Sequence, residues 1–487
     1  MIGGIILELY HLWIDGKRVE PSSGEWFETR DPATQEVLAQ VGRGNAEDID
    51  GAVSAARRAF DSSGWRNMPP AERGRIFLRI ASIIRDQSQD LAILESRDNG
   101  KPFKQAKADV EVAARYFEYY AGVADKLLGQ TIPVNPGYFD FTRREPFGVC
   151  GIIVPWNYPL QIASRAIAPA IVVGNTVVVK PAEETPLTAL RLADICQKAG
   201  LPDGVINVVP GFGDEAGKAL SSHPKVNHLS FTGSVETGIS VMTAAARNVV
   251  PVTLELGGKS PNIVFADANL EDAADIVVKS IIQNAGQTCS AGSRLIVESK
   301  VHEQFTDMVI ERMERLQIGP GLQDSDLGPI ISGPQMDRVL DYVAVAREEG
   351  AVVRTGGGRV LDEKLTNGFF VLPTVFDQVS RGSRVATEEI FGPVLSVLTF
   401  YDIDEAIEIA NETEYGLVAG VFTNNIRNAH VMAEEVRAGQ IYINTYGVGG
   451  GVELPFGGYG KSGFGREKGL EALLHFTQLK NVLIRFS

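Results

Sequence analysis

The chain is poor in cysteine and has no apolar run long enough to cross a membrane. Its three cysteines among 487 residues are Cys150, Cys196 and Cys289, and an odd, scattered set does not suit a disulfide framework. We therefore predict a reducing, cytoplasmic environment. A transmembrane helix requires about 18 consecutive apolar residues, and the sequence has no such stretch. The N-terminal residues lack the basic region and cleavage site of a signal peptide, so we predict none.

Positive charge is also scarce. Lys and Arg total 46 against 61 Asp and Glu, which gives a formal net charge of -15 and makes nucleic acid an unlikely partner. The six histidines form no HExxH pattern and the cysteines form no CxxC, so we expect no metal. No GxSxG follows a strand and no GxxxxGK[ST] occurs, which argues against a serine hydrolase and a P-loop protein.

The first part of the chain is predicted to be mainly helical, with helices over 47–60, 72–94 and 103–127. Between Gly129 and Pro146, prolines and alternating apolar residues predict an extended arm instead. The segment LKNVLIRF, from Leu479, predicts a strand without a local partner. We expect this strand to complete a sheet elsewhere.

From Val149 onward, short apolar strands alternate with helical segments. The first set is VCGIIV at 149, TVVVK at 176, VINVV at 205, HLSF at 228 and VTLEL at 252. The second set is NIVF at 262, LIVE at 295, VLSVLTF at 394, LVAGVF at 417 and QIYIN at 440. Such alternation is typical of parallel sheets covered by helices, so we predict two α/β domains, the first of a dinucleotide-binding type.

Cys289 is the most informative cysteine, because small residues surround it in GQTCSAGSR, between a helix predicted to end near Ala285 and a strand. Small neighbours leave a thiol accessible for nucleophilic chemistry. The alternative is a buried, inert cysteine, which is the interpretation we give to Cys150 and Cys196.

Polar residues also follow the predicted strands. Glu255 ends VTLEL, and Asn157 follows VCGIIV in PWNYP. Ligands of α/β sheets bind at the carboxyl ends of the strands, where Glu255 offers a carboxylate and Asn157 an oxyanion donor. A salt-bridging Glu and an N-cap Asn are the alternatives. Gly233-Ser-Val-Glu-Thr-Gly238 opens a helix that suits a phosphate, although an ordinary glycine-rich turn explains it equally well.

The chain resembles the NAD(P)-dependent aldehyde dehydrogenase superfamily over nearly its full length. The resemblance rests on seven motifs in order: PWNYP at 155, VVVKPAEETP at 177, FTGSVETG at 231, ELGGKSP at 255, GQTCSAGSR at 286, EEIFGPV at 388 and PFGGYGKSGFGRE at 455. It implies an α/β fold with a Rossmann-type cofactor domain, an α/β catalytic domain and a small β oligomerisation element.

The resemblance also implies a mechanism. Cys289 attacks an aldehyde, and the Asn157 amide and the Cys289 N–H hold the oxyanion of the thiohemiacetal. Hydride transfer to the nicotinamide leaves a thioester, which water hydrolyses with Glu255 as general base. Relatives that pass the acyl group to coenzyme A generally lack the carboxylate, so Glu255 favours release of a free acid.

The cofactor implied by the resemblance is NAD. Glu183 is expected to accept hydrogen bonds from the ribose hydroxyls and to repel the extra phosphate of NADP. NADP stays a weaker alternative, because Lys180 offers a cation to that phosphate. The implied cofactor-binding residues are Ile153, Trp156, Lys180, Glu183, Gly213, Gly233, Ser234, Leu256, Gly257, Glu389 and Phe391.

For the substrate, Tyr158, Gln161 and Arg165 share a helix face, and Phe456 adds an apolar wall. An arginine at the position of Arg165 is also found in semialdehyde-oxidising and benzaldehyde-type members of the family. Some succinic semialdehyde enzymes have a second arginine where this chain has Gln283, which weakens an assignment to that substrate. A glycine-rich run with Gly447, Gly449, Gly450 and Gly451 indicates a wide or mobile tunnel mouth. We expect a carboxylate-bearing, polar or bulky aromatic aldehyde. The alternatives are a betaine-aldehyde or aminoaldehyde substrate, an acyl-transferring or esterase-type activity, and a non-catalytic scaffold.

The implied domain organisation has four parts. Residues 1–126 and 147–257 form the NAD-binding domain, and residues 258–450 form the catalytic domain. The oligomerisation element consists of 127–146 and 474–487, while 451–473 return to the cofactor side. A homodimer or homotetramer is expected to follow.

Overall fold

The structure, a computed structural model, describes residues 8–62, 64–447 and 451–486. The α-helices in chain order are α1 Ala46–Ser62, α2 Pro70–Asp86, α3 Ser88–Asn99, α4 Phe103–Val123, α5 Pro159–Val172, α6 Leu187–Lys198, α7 Lys218–Ser221, α8 Val235–Ala246, α9 Leu270–Ile282, α10 His302–Glu314, α11 Gly333–Glu348, α12 Arg384–Thr387, α13 Ile403–Asn411, α14 Ile426–Glu435 and α15 Glu471–His475.

The strands in chain order are β1 Glu8–Tyr10, β2 Leu12–Ile14, β3 Lys17–Val19, β4 Trp26–Arg30, β5 Val37–Gly42, β6 Thr131–Ile132, β7 Tyr138–Pro146, β8 Val149–Val154, β9 Thr176–Pro181, β10 Ile206–Val208, β11 His228–Thr232, β12 Val252–Glu255, β13 Pro261–Val264, β14 Arg294–Glu298, β15 Val352–Thr355, β16 Thr374–Asp377, β17 Val394–Phe400, β18 Tyr415–Gly416, β19 Val418–Phe422, β20 Gln440–Ile443, β21 Tyr459–Gly460, β22 Gly463–Phe464 and β23 Thr477–Arg485.

Two large sheets carry the fold. The first has the order β22-β12-β11-β8-β9-β10-β2-β3, and its five central strands from β12 to β10 are parallel. The second has the order β15-β16-β17-β14-β13-β19-β20 and is parallel except for β15. Strands β8, β9 and β11 are almost entirely buried, as expected when helices cover both faces of a parallel sheet. The predicted mixed α/β architecture is confirmed.

The extended arm and the strand near the C-terminal end of the chain form a sheet of their own. Strand β23 pairs with β7 over nine residue pairs, from Thr477 opposite Pro146 to Arg485 opposite Tyr138. The short strand β6 pairs with the other edge of β7. The prediction that this strand completes a sheet elsewhere is therefore confirmed, and the structure shows that its partner is the arm.

The prediction that the N-terminal part is mainly helical was wrong for its first segment. Residues 8–42 form five short strands, of which β2 and β3 extend the first large sheet through an antiparallel hairpin. The hairpin turn consists of Asp15 and Gly16, which both have positive φ, at 55° and 72°. Asp-Gly at such a turn is a strong sequence signal, but strands of three residues have too little periodicity to stand out beside the long helices.

The helix predicted over 72–94 is two helices. Helix α2 ends at Asp86 and α3 begins at Ser88, because Gln87 adopts φ -100° and ψ 16° between them. The helix predicted over 103–127 ends at Val123. Within the described part of the chain, none of the helices combines the length and apolar character needed to span a bilayer.

A buried lysine links the helical layer to the edge of the first sheet. The Lys101 Nζ lies 2.6 Å from the Asp109 Oδ2 and 3.9 Å from the Glu95 Oε1, and it donates to the Asn157 carbonyl at 3.0 Å. The ammonium also lies 4.1 Å from the centre of the Tyr158 ring. Lys101, Asp109 and Glu95 are all buried. One cation therefore compensates two buried carboxyls and fixes the main chain that follows β8.

We predict that Lys101→Met destabilises the fold by roughly 3–5 kcal/mol, because the substitution leaves Asp109 and Glu95 buried without their cation. The control is Lys104→Met, which removes an exposed pair with Asp326 that is worth about 0–1 kcal/mol. Thermal and urea unfolding followed by circular dichroism would measure both variants. Equal stability of the two variants would contradict the role of Lys101 in compensating the buried carboxyl groups.

Candidate active site

A cavity of about 820 Å³ is lined by helices α5 and α9, the Cys289 loop and strands β19 and β20, and it brings together several residues selected from the sequence. Its wall includes Cys289 and the four predicted substrate-binding residues, Tyr158, Gln161, Arg165 and Phe456. Asn157 and Glu255 do not line this cavity and are buried beside it. The cavity therefore has room for a substrate next to the predicted nucleophile.

The loop that carries Cys289 has an unusual backbone. Helix α9 ends at Ile282, three residues before the predicted end, because Asn284 and Ala285 have φ of 48° and 54°. Gly286 follows with φ 73°. Residues other than glycine rarely adopt this left-handed conformation, and such strain concentrates at functional sites. The loop turns the chain sharply and brings Cys289 to the cavity wall.

Asn157 is held by its own main chain and by the Cys289 loop. Its carbonyl accepts from the Asn284 Nδ2 at 2.8 Å, and its side-chain amide donates to the Gln287 carbonyl at 3.0 Å. Among the described residues, the buried Asn157 Oδ1 has no hydrogen-bond partner. The N-cap alternative does not apply, because Tyr158 is the residue at that position of α5. The second amide N–H of Asn157 thus remains for another acceptor.

Glu255 ends β12, and the structure gives no support to the salt-bridge alternative. Both of its carboxyl oxygens are buried without a hydrogen-bond partner among the described residues. Burial, reinforced by the charge of Glu467, raises the pKa of Glu255 well above the ordinary value, while Arg165, Arg466 and Lys468 oppose the shift. Burial therefore favours the protonated form of this carboxyl group.

Burial likewise raises the pKa of the Cys289 thiol to about 12, whereas the positive charges of Arg165 and Lys468 lower it. Cys150 and Cys196 are buried completely, so the inert interpretation fits them. Cys289 differs from both because it is partly exposed and lines the cavity.

Arg165 lines the cavity, but its guanidinium is already engaged. Its Nε forms an ion pair with the Glu467 carboxylate, and its Nη2 donates to the Thr232 Oγ1 at 3.4 Å. The guanidinium carbon also lies 5.2 Å from the centre of the Phe456 ring. The sequence interpretation missed the partner Glu467 and the neighbouring Lys468, although Glu467 belongs to the quoted motif that begins at 455.

The predicted cofactor residues gather at the carboxyl edge of the first large sheet. The Lys180 Nζ lies 2.8 Å from the Glu183 Oε2 after β9. After β11, Gly233 leads to Ser234, the N-cap of α8, whose Oγ accepts from the Thr237 N–H at 3.2 Å. Ile153 and Trp156 come from the end of β8, whereas Gly213 begins a surface turn, Gly213–Gly217, after β10.

Residues of the second sheet complete this edge. The Glu389 Oε1 accepts from the Gly258 N–H at 2.9 Å, and a Cβ at Gly257 would collide with the Glu389 carboxyl group. Phe391 has φ 63° and contacts Trp156 edge-on, with ring centres 5.3 Å apart. Leu256 is buried against Gly238 of α8. A free helix N-terminus with nearby carboxylates and an aromatic pair fits the phosphates and ribose hydroxyls of a dinucleotide.

The glycine-rich run is only partly described. Gly447 has φ 65°, and Gly451 is also described, whereas Gly449 and Gly450 lie outside the described residues. The predicted width of the tunnel mouth therefore stays a prediction.

A partly exposed cysteine, an amide donor and a buried carboxyl group lie beside a dinucleotide-type sheet edge, which is the arrangement expected of an NAD-dependent oxidoreductase. The model of the aldehyde dehydrogenase family matches residues 19–482. The chain belongs to this family, and the predicted enzyme class is confirmed.

Relatives of known name agree with this assignment. Aldehyde dehydrogenase family 2 member B4, mitochondrial, of Arabidopsis thaliana is 45% identical over 475 residues, which cover 97% of this chain and 87% of the relative. The NAD+ complex of an aldehyde dehydrogenase from Bacillus cereus is 44% identical with a TM-score of 0.96, covering 99% and 97% of the two chains. Betaine aldehyde dehydrogenase of Staphylococcus aureus, also solved with NAD+, is 39% identical with the same TM-score and coverage.

We predict that Gly286→Ala disturbs the Cys289 loop, because a Cβ at this left-handed position would collide with the Gly392 backbone. The expected cost is roughly 3 kcal/mol or more, together with slower alkylation of Cys289 by iodoacetamide. Gly382→Ala is the control, since φ there is 77° but nothing lies within 4 Å of the added carbon. Equal effects of the two substitutions on melting temperature and alkylation rate would disprove the role of the Gly392 contact.

Proposed function

We propose that this chain oxidises an aldehyde to the free carboxylic acid with NAD, through a covalent adduct on Cys289. The observation that carries the proposal is the position of Cys289 on the cavity wall, beside the fixed Asn157 amide. A thiol in this position is able to reach a carbonyl carbon, while an amide N–H is free for the oxygen.

The nucleophile requires activation, because burial keeps the Cys289 thiol protonated at neutral pH. The nearby charges of Arg165 and Lys468 favour the thiolate, and Glu255 accepts the proton when its own carboxyl group is ionised. Addition of the sulfur to the carbonyl carbon places negative charge on the oxygen. The free N–H of Asn157 and the Cys289 N–H stabilise that charge.

The cofactor assignment rests on the sheet-edge residues and on the solved NAD+ complexes of relatives. Glu183 and Lys180 would hold the adenosine ribose, the start of α8 at Gly233 and Ser234 would hold the pyrophosphate, and Glu389 would hold the nicotinamide ribose. When bound, NAD supplies the hydride acceptor for the oxidation. Because Lys180 is already paired with Glu183, it offers little free charge to the extra phosphate of NADP.

Glu255 is the group that releases the product. Its carboxylate removes a proton from a water molecule that attacks the acyl group on Cys289, and the thiol leaves. A carboxyl group without any partner among the described residues is free to take this role. Release to water, rather than transfer of the acyl group, follows from this base.

The substrate is proposed to be a carboxylate-bearing, polar or bulky aromatic aldehyde rather than acetaldehyde, because the cavity is large and Arg165 and Gln161 make part of its wall polar. A betaine-aldehyde substrate is disfavoured. Its quaternary ammonium group needs free aromatic faces, and the Phe456 ring already contacts Arg165 and Lys468.

A cytoplasmic homo-oligomer is the proposed state of the enzyme. The small sheet of β6, β7 and β23 exposes several large apolar side chains, which a second copy would cover. They are Ile132, Tyr138, Phe139, Leu479, Leu483 and Ile484.

The first test is NADH formation by the purified enzyme with semialdehydes, aromatic aldehydes, aminoaldehydes and short aliphatic aldehydes, with NAD and NADP in parallel. We expect NAD-dependent turnover that Cys289→Ala abolishes, because the adduct needs the thiolate. Equal, residual turnover of the parent and the variant would remove the catalytic proposal and favour the scaffold alternative. Faster turnover with coenzyme A present would instead indicate acyl transfer.

A second prediction concerns Glu255 and pH. Because its pKa is raised, the carboxylate that acts as base is lost at low pH and gained as the pH rises, so hydrolysis of the thioester should accelerate with pH. In Glu255→Gln, a burst of NADH should still occur but more slowly, because Cys289 loses its proton acceptor, while steady turnover falls on the order of 100-fold or more and becomes less sensitive to pH. Mass spectrometry should detect the acyl group on Cys289. A variant that turns over at the parent rate would exclude Glu255 as the base.

A further inference from the structure

A second cation lies in the cavity wall near Cys289 and has no assigned role in substrate binding. Lys468 lines the same cavity as Cys289 and Phe456, and its Nζ lies 4.8 Å from the centre of the Phe456 ring. Among the described residues, no carboxylate forms an ion pair with this ammonium group. Lys468 therefore presents charge to the cavity that the surrounding protein leaves uncompensated.

The backbone holds Lys468 in this place. Phe456 and Glu467 exchange two hydrogen bonds of 2.7 Å, and Lys468 follows with φ 65°. A lysine at positive φ is strained, and such a conformation persists only where neighbouring structure enforces it. The Gly469 N–H bonds to the Val452 carbonyl at 2.7 Å and anchors the other side.

The charged groups around Lys468 do not form an ion pair with it. Arg165 and Glu467 compensate each other in their buried ion pair. Burial raises the pKa of Glu255 and so favours its neutral form. The ammonium group of Lys468 is therefore left to interact with a ligand in the cavity.

The other cations of the cavity wall differ from Lys468, because carboxylates accompany them. The Lys104 Nζ lies 3.3 Å from the Asp326 Oδ1, and the Arg312 Nε lies 2.5 Å from the Asp275 Oδ1. Lys279 is exposed and close enough to Asp275 to help lower the pKa of that carboxyl group.

We propose that Lys468 selects aldehydes that carry a carboxylate at the end opposite the reacting group, and that Arg165 is the structural partner of Glu467. This inference rests on the proposed aldehyde oxidation and names the substrate class for the same site. A single ammonium group over an aromatic wall suits a carboxylate on a short or aromatic carbon frame, since it offers one charge rather than the several donors that bind a phosphate. A cationic aldehyde would be repelled.

The test compares matched substrates that differ only in charge: succinic semialdehyde and its methyl ester, and terephthalaldehydic acid and its methyl ester. For each pair, the preference is kcat/KM of the acid divided by kcat/KM of the ester. We expect the parent enzyme to prefer both acids, and Lys468→Met to reduce the preference on the order of 10- to 100-fold, mainly through KM. Lys468→Arg should retain most of the preference, because it keeps the charge.

Lys364→Met, on the surface turn Glu363–Leu365, is the control for loss of one positive charge and should keep the parent preference. An equal loss of activity of Lys468→Met with acid and ester would overturn the proposal, and so would a parent enzyme without preference for the acids. In both cases, continued oxidation of the esters would show that the proposed aldehyde oxidation still holds. Failure of every aldehyde to react would instead reject the function itself.

The pH dependence of the preference provides an independent measurement. Burial lowers the pKa of Lys468 to about 8; Arg165 also lowers it, whereas Cys289, Glu467 and Glu255 raise it. The ammonium group exists below this pH, so the preference for acids should decline as the pH rises past about 8. Titration of Cys289 and Glu255 affects acid and ester alike and cancels in the ratio. A ratio that does not change with pH would contradict the role of the lysine.

Discussion

The buried ion pair between Arg165 and Glu467 connects the parts of the chain that make up the site. Arg165 belongs to α5, which begins directly after the Asn157 segment, while Glu467 follows the loops that carry Phe456. Glu467 also accepts from the Ser230 hydroxyl of β11 at 3.1 Å. Removing either partner of a buried pair leaves an uncompensated charge, so the pair constrains how the helix, the sheet and the late segment sit together.

This constraint explains the electrostatics of the neighbouring groups. Burial and the charge of Glu467 both raise the pKa of Glu255. Two positive charges, on Arg165 and Lys468, act in the opposite direction on Glu255 and on Cys289. Perturbed pKa values produced by burial together with nearby charges are typical of functional sites.

Much of the fold and the site was predictable from sequence, for identifiable reasons. Parallel strands end at one edge of a sheet, so Asn157 after β8 and Glu255 at the end of β12 had to lie at the same edge once the strands were recognised. The glycine pair that begins at Gly233 was placed correctly by the same rule. The helix break at Gln87 was missed because it needs only one residue with non-helical dihedral angles, and no proline or glycine marks it.

The pairing of Arg165 with Glu467 was out of reach for a different reason. Which acid meets a buried arginine depends on how distant segments pack, and no local spacing encodes it. Likewise, no local spacing reveals that, within the described part of the chain, Lys468 has carboxylates nearby but forms an ion pair with none of them. Sequence motifs identify the residues that a reaction requires. Which charged side chains pair with each other can be determined only from the three-dimensional structure.

The pairing of β7 with β23 also has a consequence for the order of events during synthesis. Strand β7 leaves the ribosome before either large sheet is complete, yet the strand that occupies its long edge is made only after both of them. During that interval the arm has an open edge with apolar side chains such as Phe139, which is the type of surface that pairs with other chains. The growing polypeptide thus carries an unpaired strand edge from the time the arm is made until β23 emerges.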